Sequence, residues 1–367
     1  MSPKAIAAIR ENSHQDSTVV TSPATRYATT SDGVNIAYMR VGEGPPIVFA
    51  PNACDAQDYC SIPEFRGRTD GLTSLGWEVV LHDMRGRGFS DREVAERGLE
   101  GRVKDLEAIV SRVGFDRFVL AGIDLGCTTA IAYAARNPER VSRLVLLCPW
   151  ARGADYLAIP ALRLAVSPPP TTAPEWKVYT NIIGGVLTEF SDLDRQRQVA
   201  EAIQANASVE SWNAGIRALE ATDVTDLLPR VCAPTLALHD STFPFASFDL
   251  CRGVVSGIRN ARLEVMHEGF IMGPRHEQTV ATIDRFLRGD ATSEPVAQRS
   301  PRHPATLTPR ERDVLRLIAS GHPNKTIASR LGMSERTAAR HITNLYAKIG
   351  VQSKAAATAY AIRHGLA

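Results

Sequence analysis

The stretch of sequence that decides the fold is FVLAGIDLGCTTAIAYAAR, residues 118–136. Its first four residues are apolar without interruption, as expected of a strand that is covered on both faces of a parallel sheet. Gly122 and Gly126 then flank Asp124, and a run of helix-forming residues follows. A strand, a tight glycine turn and a helix in this order present the middle residue of the turn above the sheet. The sequence therefore predicts an α/β unit with a carboxylate at that position.

Further apolar runs on either side of this stretch are also interpreted as buried strands: residues 47–50, 78–81, 144–147 and 235–238. Helical patterns separate them, and this alternation predicts an α/β fold with a mostly parallel sheet. Residues 151–230 break the rhythm with a proline cluster and two helical patterns, at 193–205 and 209–221. We interpret residues 151–230 as a helical cap inserted over one end of the sheet.

Composition divides the rest of the chain into segments. Residues 1–24 are polar and have no periodic pattern, so we expect a flexible arm there. Residues 25–290 contain the α/β alternation. Residues 291–304 are rich in proline, serine and charge, which is typical of an interdomain linker. Residues 305–367 are predicted to form a second, small all-α domain.

The charge of the chain is concentrated at its C-terminus. Residues 301–367 hold 11 lysines and arginines against three acids, whereas the first 300 residues hold 31 against 37. The tail therefore carries +8 and the remainder −6. A small basic module on a mildly acidic body favours nucleic acid binding, although a solvated basic surface would have the same composition.

Several classes of protein are disfavoured by the sequence. No stretch approaches the ~18 uninterrupted apolar residues of a membrane span, and the first 20 residues lack the apolar core of a signal peptide. The six cysteines are scattered without CxxC spacing, and no His, Cys and carboxylate cluster has the spacing of metal ligands. We therefore expect a cytoplasmic protein without a membrane partner, a metal site or a cofactor.

The basic tail has the pattern of four short helices. Residues 308–311, TPRE, form a capping box with proline at the first helical position. A second helix is predicted over 324–331, and Ser334 is placed as the N-cap of a third over about 335–349. Residues 353–364 make a fourth. The second and third helices, joined by a tight glycine turn, predict a helix-turn-helix whose third helix enters the major groove.

Four motifs carry a resemblance to a known family: LTPRE, NKTIA, LGMSERT and HITNLYAKIGVQSK, which begin at residues 307, 324, 331 and 341. In this order and spacing they resemble the LuxR/GerE-type helix-turn-helix over about 60 residues. The resemblance implies a transcription factor that binds double-stranded DNA at an inverted-repeat operator as a homodimer. The fourth helix is the usual dimer contact in such domains.

The resemblance also implies which positions meet DNA. These are Lys325, Thr326, Ser334, Arg336, Thr337, Ala339, Arg340, His341, Thr343, Asn344 and Lys348. Lys325 and Lys348 are expected to hold phosphates, with a solvated surface lysine as the alternative. Ala339 stands where the family often has lysine, so Arg340 beside it is the expected base reader, because a guanidinium can pair bidentately with guanine. Thr343 is a weaker candidate.

The α/β segment resembles the α/β-hydrolase fold over about 260 residues. The resemblance rests on the elbow around Asp124, on DMRGRGFSD at 83–91 and on NPERVSRLVLL at 137–147. The opening, RYATTSDGVNIAYMRVGEGPP, is similar to the hydrolase-like module of some bacterial regulators and cyclases. With aspartate at the nucleophile position, this elbow resembles that of haloalkane dehalogenases and epoxide hydrolases. In those enzymes the carboxylate attacks a carbon atom of the substrate and forms an ester, which a histidine-activated water then cleaves.

The partners of Asp124 match the family unevenly. His267 has the spacing of the family's catalytic histidine and is the expected general base, with His276 as the weaker candidate. The family's acid normally lies three or four residues past the position of His239, where this chain has threonine and phenylalanine. Asp240 and Asp155 remain as alternatives for orienting the histidine.

Other expected pocket residues also depart from the family pattern. Asn52 and Ala53 lie in the loop that usually carries HG and supplies an oxyanion donor. Leu125 replaces the tryptophan that often follows the aspartate in dehalogenases. Trp150 and Trp176 lie in or beside the cap, where aromatic side chains either pack or face a ligand.

Two main functions follow from these observations. We favour a ligand-responsive transcriptional regulator whose α/β domain senses a small organic effector between cap and sheet, near Asp124 and His267. The alternative is an enzyme, a hydrolase of the dehalogenase or epoxide hydrolase kind with Asp124 as nucleophile, fused to a DNA-binding domain. A constitutive regulator with an empty α/β domain is a third possibility.

Overall fold

The computed structural model describes residues 23–52, 56, 63–167, 169–188, 190, 192–267, 276–289, 309–319, 322, 324–331, 342 and 345. The chain divides into two compact units, Met1–Gly289 and Asp290–Ala367. No helix in these described ranges is long and apolar enough to cross a bilayer.

The first unit is built on one sheet. Its strands are β1 (Arg26–Thr29), β2 (Asn35–Val41), β3 (Pro46–Ala50), β4 (Glu78–His82), β5 (Phe118–Ile123), β6 (Val141–Leu147), β7 (Thr235–Asp240) and β8 (Ala261–Met266). Their order across the sheet is β1-β2-β4-β3-β5-β6-β7-β8. β2 pairs antiparallel with β1 on one side and with β4 on the other, and all other pairs are parallel. The predicted mostly parallel α/β sheet is confirmed.

Helices cover both faces of this sheet. Outside the cap they are α1 (Pro63–Ser74), α2 (Leu99–Val113), α3 (Leu125–Arg136), α9 (Phe248–Gly257) and α10 (Glu277–Arg288). Side chains alternate between the two faces along each strand. Ile47 and Phe49 of β3 therefore join a core cluster with cap residues, while Val48 joins a second cluster with Leu106 and Ile131 of α2 and α3.

The cap lies between β6 and β7. It contains α4 (Gly153–Leu157), α5 (Pro160–Val166), α6 (Ala173–Leu187), α7 (Leu193–Asn206) and α8 (Val209–Glu220), and a 3-10 turn, Thr225–Arg230, follows it and packs on α3 and α9. Capping boxes at Thr172 and Ser208 start α6 and α8 by satisfying backbone donors of their first turns. Between these two helices, Trp212 Nε1 donates to the Tyr179 hydroxyl at 3.0 Å, and both rings pack on Trp176.

The two ends of the cap meet at its base. Arg152 and Asp223 form an antiparallel bridge, and their side chains pair at 3.3 Å. Next to this bridge, the amide of Gly153 donates to the carbonyl of Thr222 at 2.8 Å. The chain thus enters and leaves the cap at one point beside the sheet.

The second unit is described in part. Pro309–Ala319 and Asn324–Arg330 form α11 and α12, and these helices pack on each other. Apolar side chains of this unit are buried, whereas Leu317 and Leu331 are half-buried. The buried ones are Val314, Leu315, Ile318, Ile327, Ala328, Ile342 and Leu345. The predicted turn and most of the predicted third helix lie outside the described residues.

Candidate functional site

Asp124 occupies the turn between β5 and α3. Its φ of 48° and ψ of −111° lie in a region that non-glycine residues rarely adopt, and such strain persists where the surrounding structure imposes it. The glycines on either side are required by close backbone approach. A Cβ on Gly122 would lie 2.7 Å from the carbonyl oxygen of Gly126, and a Cβ on Gly126 would overlap the carbonyl of Ala50.

The carboxylate of Asp124 is buried and held by two aromatic donors. Trp150 Nε1 donates to Oδ1 and the Tyr156 hydroxyl donates to Oδ2, both at 2.7 Å. The two rings stack with centroids 4.7 Å apart. Burial raises the pKa of Asp124 to about 6, although both hydrogen bonds act to lower it. Each oxygen therefore already accepts one strong hydrogen bond.

His267 lies apart from this carboxylate. Its side chain is exposed, and its Nδ1 lies 3.1 Å from Ser241 Oγ. No hydrogen bond or ion pair between His267 and Asp124 occurs among the described residues. The weaker candidate, His276, is buried against Gly67 of α1.

The candidate acids have other partners. Asp240 Oδ1 accepts from the amide and the hydroxyl of Thr242, at 2.9 and 2.7 Å. Asp155 is half exposed and lies 3.9 Å from Arg152. Neither carboxylate forms a hydrogen bond with His267 in the described part of the chain, so the predicted histidine and acid pair is not assembled by these contacts.

A cavity of about 290 Å³ lies between the cap and the carboxyl edge of the sheet. Asp124, Leu125, Tyr156 and Asn52 line it at the sheet side. Its cap wall is mostly apolar: Leu162, Ala165, Val166, Ile183, Leu187, Val199, Ala202, Ile203, Trp212, Ile216 and Leu219. A pocket with apolar walls and a few polar groups suits a small organic ligand.

Other predicted pocket residues have different places. Trp150 supports Asp124 from behind, and Trp176 belongs to the aromatic cluster of the cap, so neither lines the cavity. Ala53 lies outside the described residues. No group of His, Cys, Asp and Glu that could hold a metal ion occurs among the residues that the structure describes.

Several residues that line the cavity are not indicated by the sequence, and Tyr156 and Arg102 are two of them. Tyr156 is an inconspicuous residue of the cap sequence, and only the fold brings it to Asp124, 32 positions away. Arg102 of α2 is buried and also lines the cavity, yet its sequence context, EGRVKD, gives no signal of this. Two other arginines of the cap region, Arg152 and Arg163, are exposed.

Most predicted DNA-contacting residues fall outside the described part of the chain. Lys325 and Thr326 lie in the first turn of α12, and Thr326 is half-buried. Ser334, Arg336, Thr337, Ala339, Arg340, His341, Thr343, Asn344 and Lys348 lie outside the described residues.

Comparison with known proteins identifies both parts. Residues 305–361 match the family "Bacterial regulatory proteins, luxR family", and residues 45–179 match "alpha/beta hydrolase fold". The transcriptional regulatory protein MctR of Rhizobium johnstonii is 32% identical over 139 residues, 38% of this chain and 62% of that protein. A non-heme haloperoxidase of Rhodococcus erythropolis is 27% identical over 264 residues, 65% of this chain and 90% of that protein.

Solved structures agree on the fold of the first unit. A thermophilic esterase from Thermogutta terrifontis superposes with a TM-score of 0.58 at 20% identity, covering 72% of this chain and 98% of its own. Residues 305–361 therefore form a LuxR-type helix-turn-helix domain, and a domain with the α/β-hydrolase fold precedes it in the chain.

Proposed function

We propose that this protein regulates transcription in response to a small organic effector, which its α/β domain binds under the cap without converting it. DNA is bound by a homodimer through the C-terminal helix-turn-helix at an inverted repeat. The observation that carries the proposal is the state of Asp124. Both of its oxygens accept hydrogen bonds at 2.7 Å, while His267 is exposed and bonded elsewhere.

A nucleophilic carboxylate needs an oxygen available to the substrate, and the ester it forms needs a base that activates water. Hydrogen bonds from Trp150 and Tyr156 stabilise the negative charge of the Asp124 carboxylate. This stabilisation opposes an attack on carbon, because the charge is lost when the ester forms. The same contacts make Asp124 a well-ordered polar feature at the floor of a cavity. This arrangement supports ligand recognition more than turnover.

The effector regulates only if it binds two states of the protein with different affinities. A ligand in the cavity contacts the cap and the sheet together. Two states that differ in the packing of the cap on the sheet would therefore bind the ligand with different affinities. The change would reach the DNA through the arrangement of the two recognition helices in the dimer. A coupling of this kind typically alters the affinity of the second site by ~5–150-fold.

Hydrolysis is the second candidate function, and one observation favours it. The positive φ of Asp124 is the conformation of a residue presented for reaction at a strand-to-helix turn. The relatives named haloperoxidase and esterase share this fold. On this view Trp150 and Tyr156 would release one carboxylate oxygen when substrate arrives.

Turnover assays separate the two functions. The full-length protein and Asp124→Asn are incubated with p-nitrophenyl butyrate, 1-chlorohexane and styrene oxide, and product is followed by absorbance or gas chromatography. We expect equal product formation by the two proteins. Turnover by the natural protein that Asp124→Asn abolishes would overturn the sensor proposal in favour of an enzyme.

Mass spectrometry of the protein purified from its own host tests the ligand directly. We expect a small molecule that is released unchanged on denaturation and that alters operator affinity at least about fivefold when added back. An ester adduct on the peptide containing Asp124 would identify the enzyme instead. A released molecule that leaves operator affinity unchanged at saturation would contradict regulation.

A further inference from the structure

We propose that the effector is a carboxylate with an apolar body, and that Arg102 holds its charged end. This inference rests on the proposed function, since it names the chemical class of ligand that the cavity under the cap binds. It comes from a buried cation on the cavity wall whose contacts are all to neutral groups.

Arg102 is fixed in place by three hydroxyls. Its side chain is 4% exposed, and its Nε donates to Thr129 Oγ1 at 3.1 Å. Its Nη2 donates to the hydroxyls of Thr128 and Thr222, at 3.3 and 3.4 Å. These last two hydroxyls donate their own protons to the carbonyls of Leu125 and Ala218, so their lone pairs are free to accept.

The remaining nitrogen, Nη1, accounts for the other two of the five guanidinium protons. None of the described residues accepts from it. Arg102 also lies beyond ion-pair distance of every carboxylate in the described part of the chain. Its orientation is thus set by neutral groups while its charge is left without a direct partner.

Arg85 provides an internal comparison. It is also buried and lines the cavity, but it pairs with Asp105 at 2.7 Å and with Asp32 at 2.9 Å. Both carboxylate oxygens of Asp105 accept hydrogen bonds from Arg85, Oδ1 from Nε and Oδ2 from the backbone amide. Asp105, three residues after Arg102, is therefore already engaged, and Glu100, two residues before it, pairs with Arg136 at 2.7 Å. Of Arg85 and Arg102, only Arg85 has a counter-ion in contact among the described residues.

A buried charge is costly unless a partner compensates it. Burial lowers the pKa of Arg102 to about 10, so the guanidinium stays charged at neutral pH. Where such a cation lines a cavity, an anionic ligand can supply the missing counter-ion. Guanidinium protons match a carboxylate in geometry and charge.

The rest of the cavity defines the body of the ligand. Leucine, isoleucine, valine and alanine side chains form most of the cap wall, which favours a hydrocarbon chain or ring over an inorganic anion. Asn206, 4% exposed on the same wall, has an amide oxygen that accepts no hydrogen bond from the residues that the structure describes, and it marks a second polar point. Asp124 at the floor repels a carboxylate. Among the described residues, four arginines line the cavity: Arg85, Arg87, Arg97 and Arg102. We assign the charged end to Arg102, because Arg85 is paired with two acids and Arg87 and Arg97 are less deeply buried.

The test compares an acid with its neutral amide of the same shape. Binding of octanoate and octanamide, and of 4-phenylbutyrate and 4-phenylbutanamide, is measured by calorimetry on the full-length protein without DNA. We expect each acid to bind at least tenfold more tightly than its amide. Arg102→Gln should remove this preference, whereas Arg163→Gln, at an exposed position of α5, should retain it.

Several results would overturn the proposal. They are equal affinity for acid and amide, no binding of any of the four probes, or an acid preference that persists in Arg102→Gln. Displacement of the acids by chloride or phosphate at equal concentration would identify a general anion site instead. Should Arg102→Gln fail to fold, the comparison within the natural protein still decides, and Arg102→Lys, which retains the charge, should keep part of the preference.

The design also separates this inference from the proposed function. If octanoate binds through Arg102 but operator affinity does not respond, the carboxylate site stands and ligand regulation fails. If no acid binds but another released molecule changes operator affinity, regulation stands and the carboxylate assignment fails.

Discussion

The buried carboxyl of Asp124 carries a free-energy cost that depends on pH. Its pKa of about 6 in the folded protein lies above the ordinary value of 3.8, so the folded state binds the proton more tightly than the unfolded state. The folded protein is therefore favoured by this group at low pH. Stability is lost as pH rises from about 4 to about 6, and the loss is complete above ~7.

Asp124→Asn tests this cost, because asparagine has nearly the same shape and does not ionise. Between pH 5 and pH 8 the natural protein should lose about 1–2 kcal/mol of unfolding free energy relative to the variant. Urea denaturation of both proteins at each pH measures the difference. Asp105, whose pKa burial also raises to about 6, is present in both proteins and cancels. A pH-independent difference would contradict the assigned titration.

Two residues of the DNA-binding domain should have separable effects. Arg340→Ala should reduce the free energy of binding to the preferred operator by about 1–3 kcal/mol and relax selectivity at one base pair, because it would remove the expected contact with a base. Lys348→Ala should weaken binding to all DNA sequences to the same extent, and it should reduce the slope of log affinity against log salt concentration by ~0.9. Fluorescence anisotropy on the selected operator and on single-base variants measures both. Identical behaviour of the two variants would contradict these roles.

The sequence predicts some parts of the site and misses others for a physical reason. Asp124 and Leu125 could be located because an elbow is a local motif whose backbone geometry needs glycine at fixed positions. Arg102 could not, because its environment comes from threonines 26, 27 and 120 positions away. Tyr156 escaped in the same way. His267 was placed by spacing alone, and spacing does not determine where a side chain at the end of an edge strand points.

At the scale of elements, the five strands predicted from apolar runs are five of the six inner strands of the sheet, and the sixth is β2. β1 and β8, at the two edges, have partly exposed residues throughout most of their length, so their sequences lack a continuous apolar run. β2 mixes asparagine and arginine with apolar residues at its ends. Edge strands face solvent on one side and therefore carry weaker sequence signals.

The elbow depends on the close approach of two backbone segments. Gly126→Ala should destabilise the protein by about 1–3 kcal/mol or more, because the added methyl would meet the carbonyls of Ala50 and Pro51. Gly253→Ala is the matched control. It lies inside α9 with no atom within 4 Å of the added Cβ, and should stabilise by about 0.5–1 kcal/mol.

Urea denaturation of both glycine variants against the natural protein measures these shifts. Equal and small effects at the two positions would mean that the elbow tolerates a side chain. If both variants lose stability, the loss in Gly126→Ala cannot be attributed to the close packing around Gly126, and that explanation would fail.

At the scale of the whole molecule, the charge of residues 301–367 has the opposite sign to that of the first 300 residues, +8 against −6. Binding of two chains to one inverted-repeat duplex should therefore be strongly weakened by salt, with a slope of ~0.9 for each phosphate contacted. Native mass spectrometry should detect two chains per duplex at saturation. One chain per duplex would contradict the dimer.

The closed base of the cap has a consequence for how this regulator could diversify. Because the bridge between Arg152 and Asp223 brings the two ends of the cap together, residues 153–222 form a nearly self-contained insert. Such an insert can be exchanged between proteins with little disturbance of the strands on which it stands. Most of the apolar wall would change with it, together with Tyr156 and Thr222, while Arg102 and Asp124 would stay on the sheet side. Proteins of this design could thus keep the charged groups of the cavity and vary the shape of its apolar wall by exchanging a single segment.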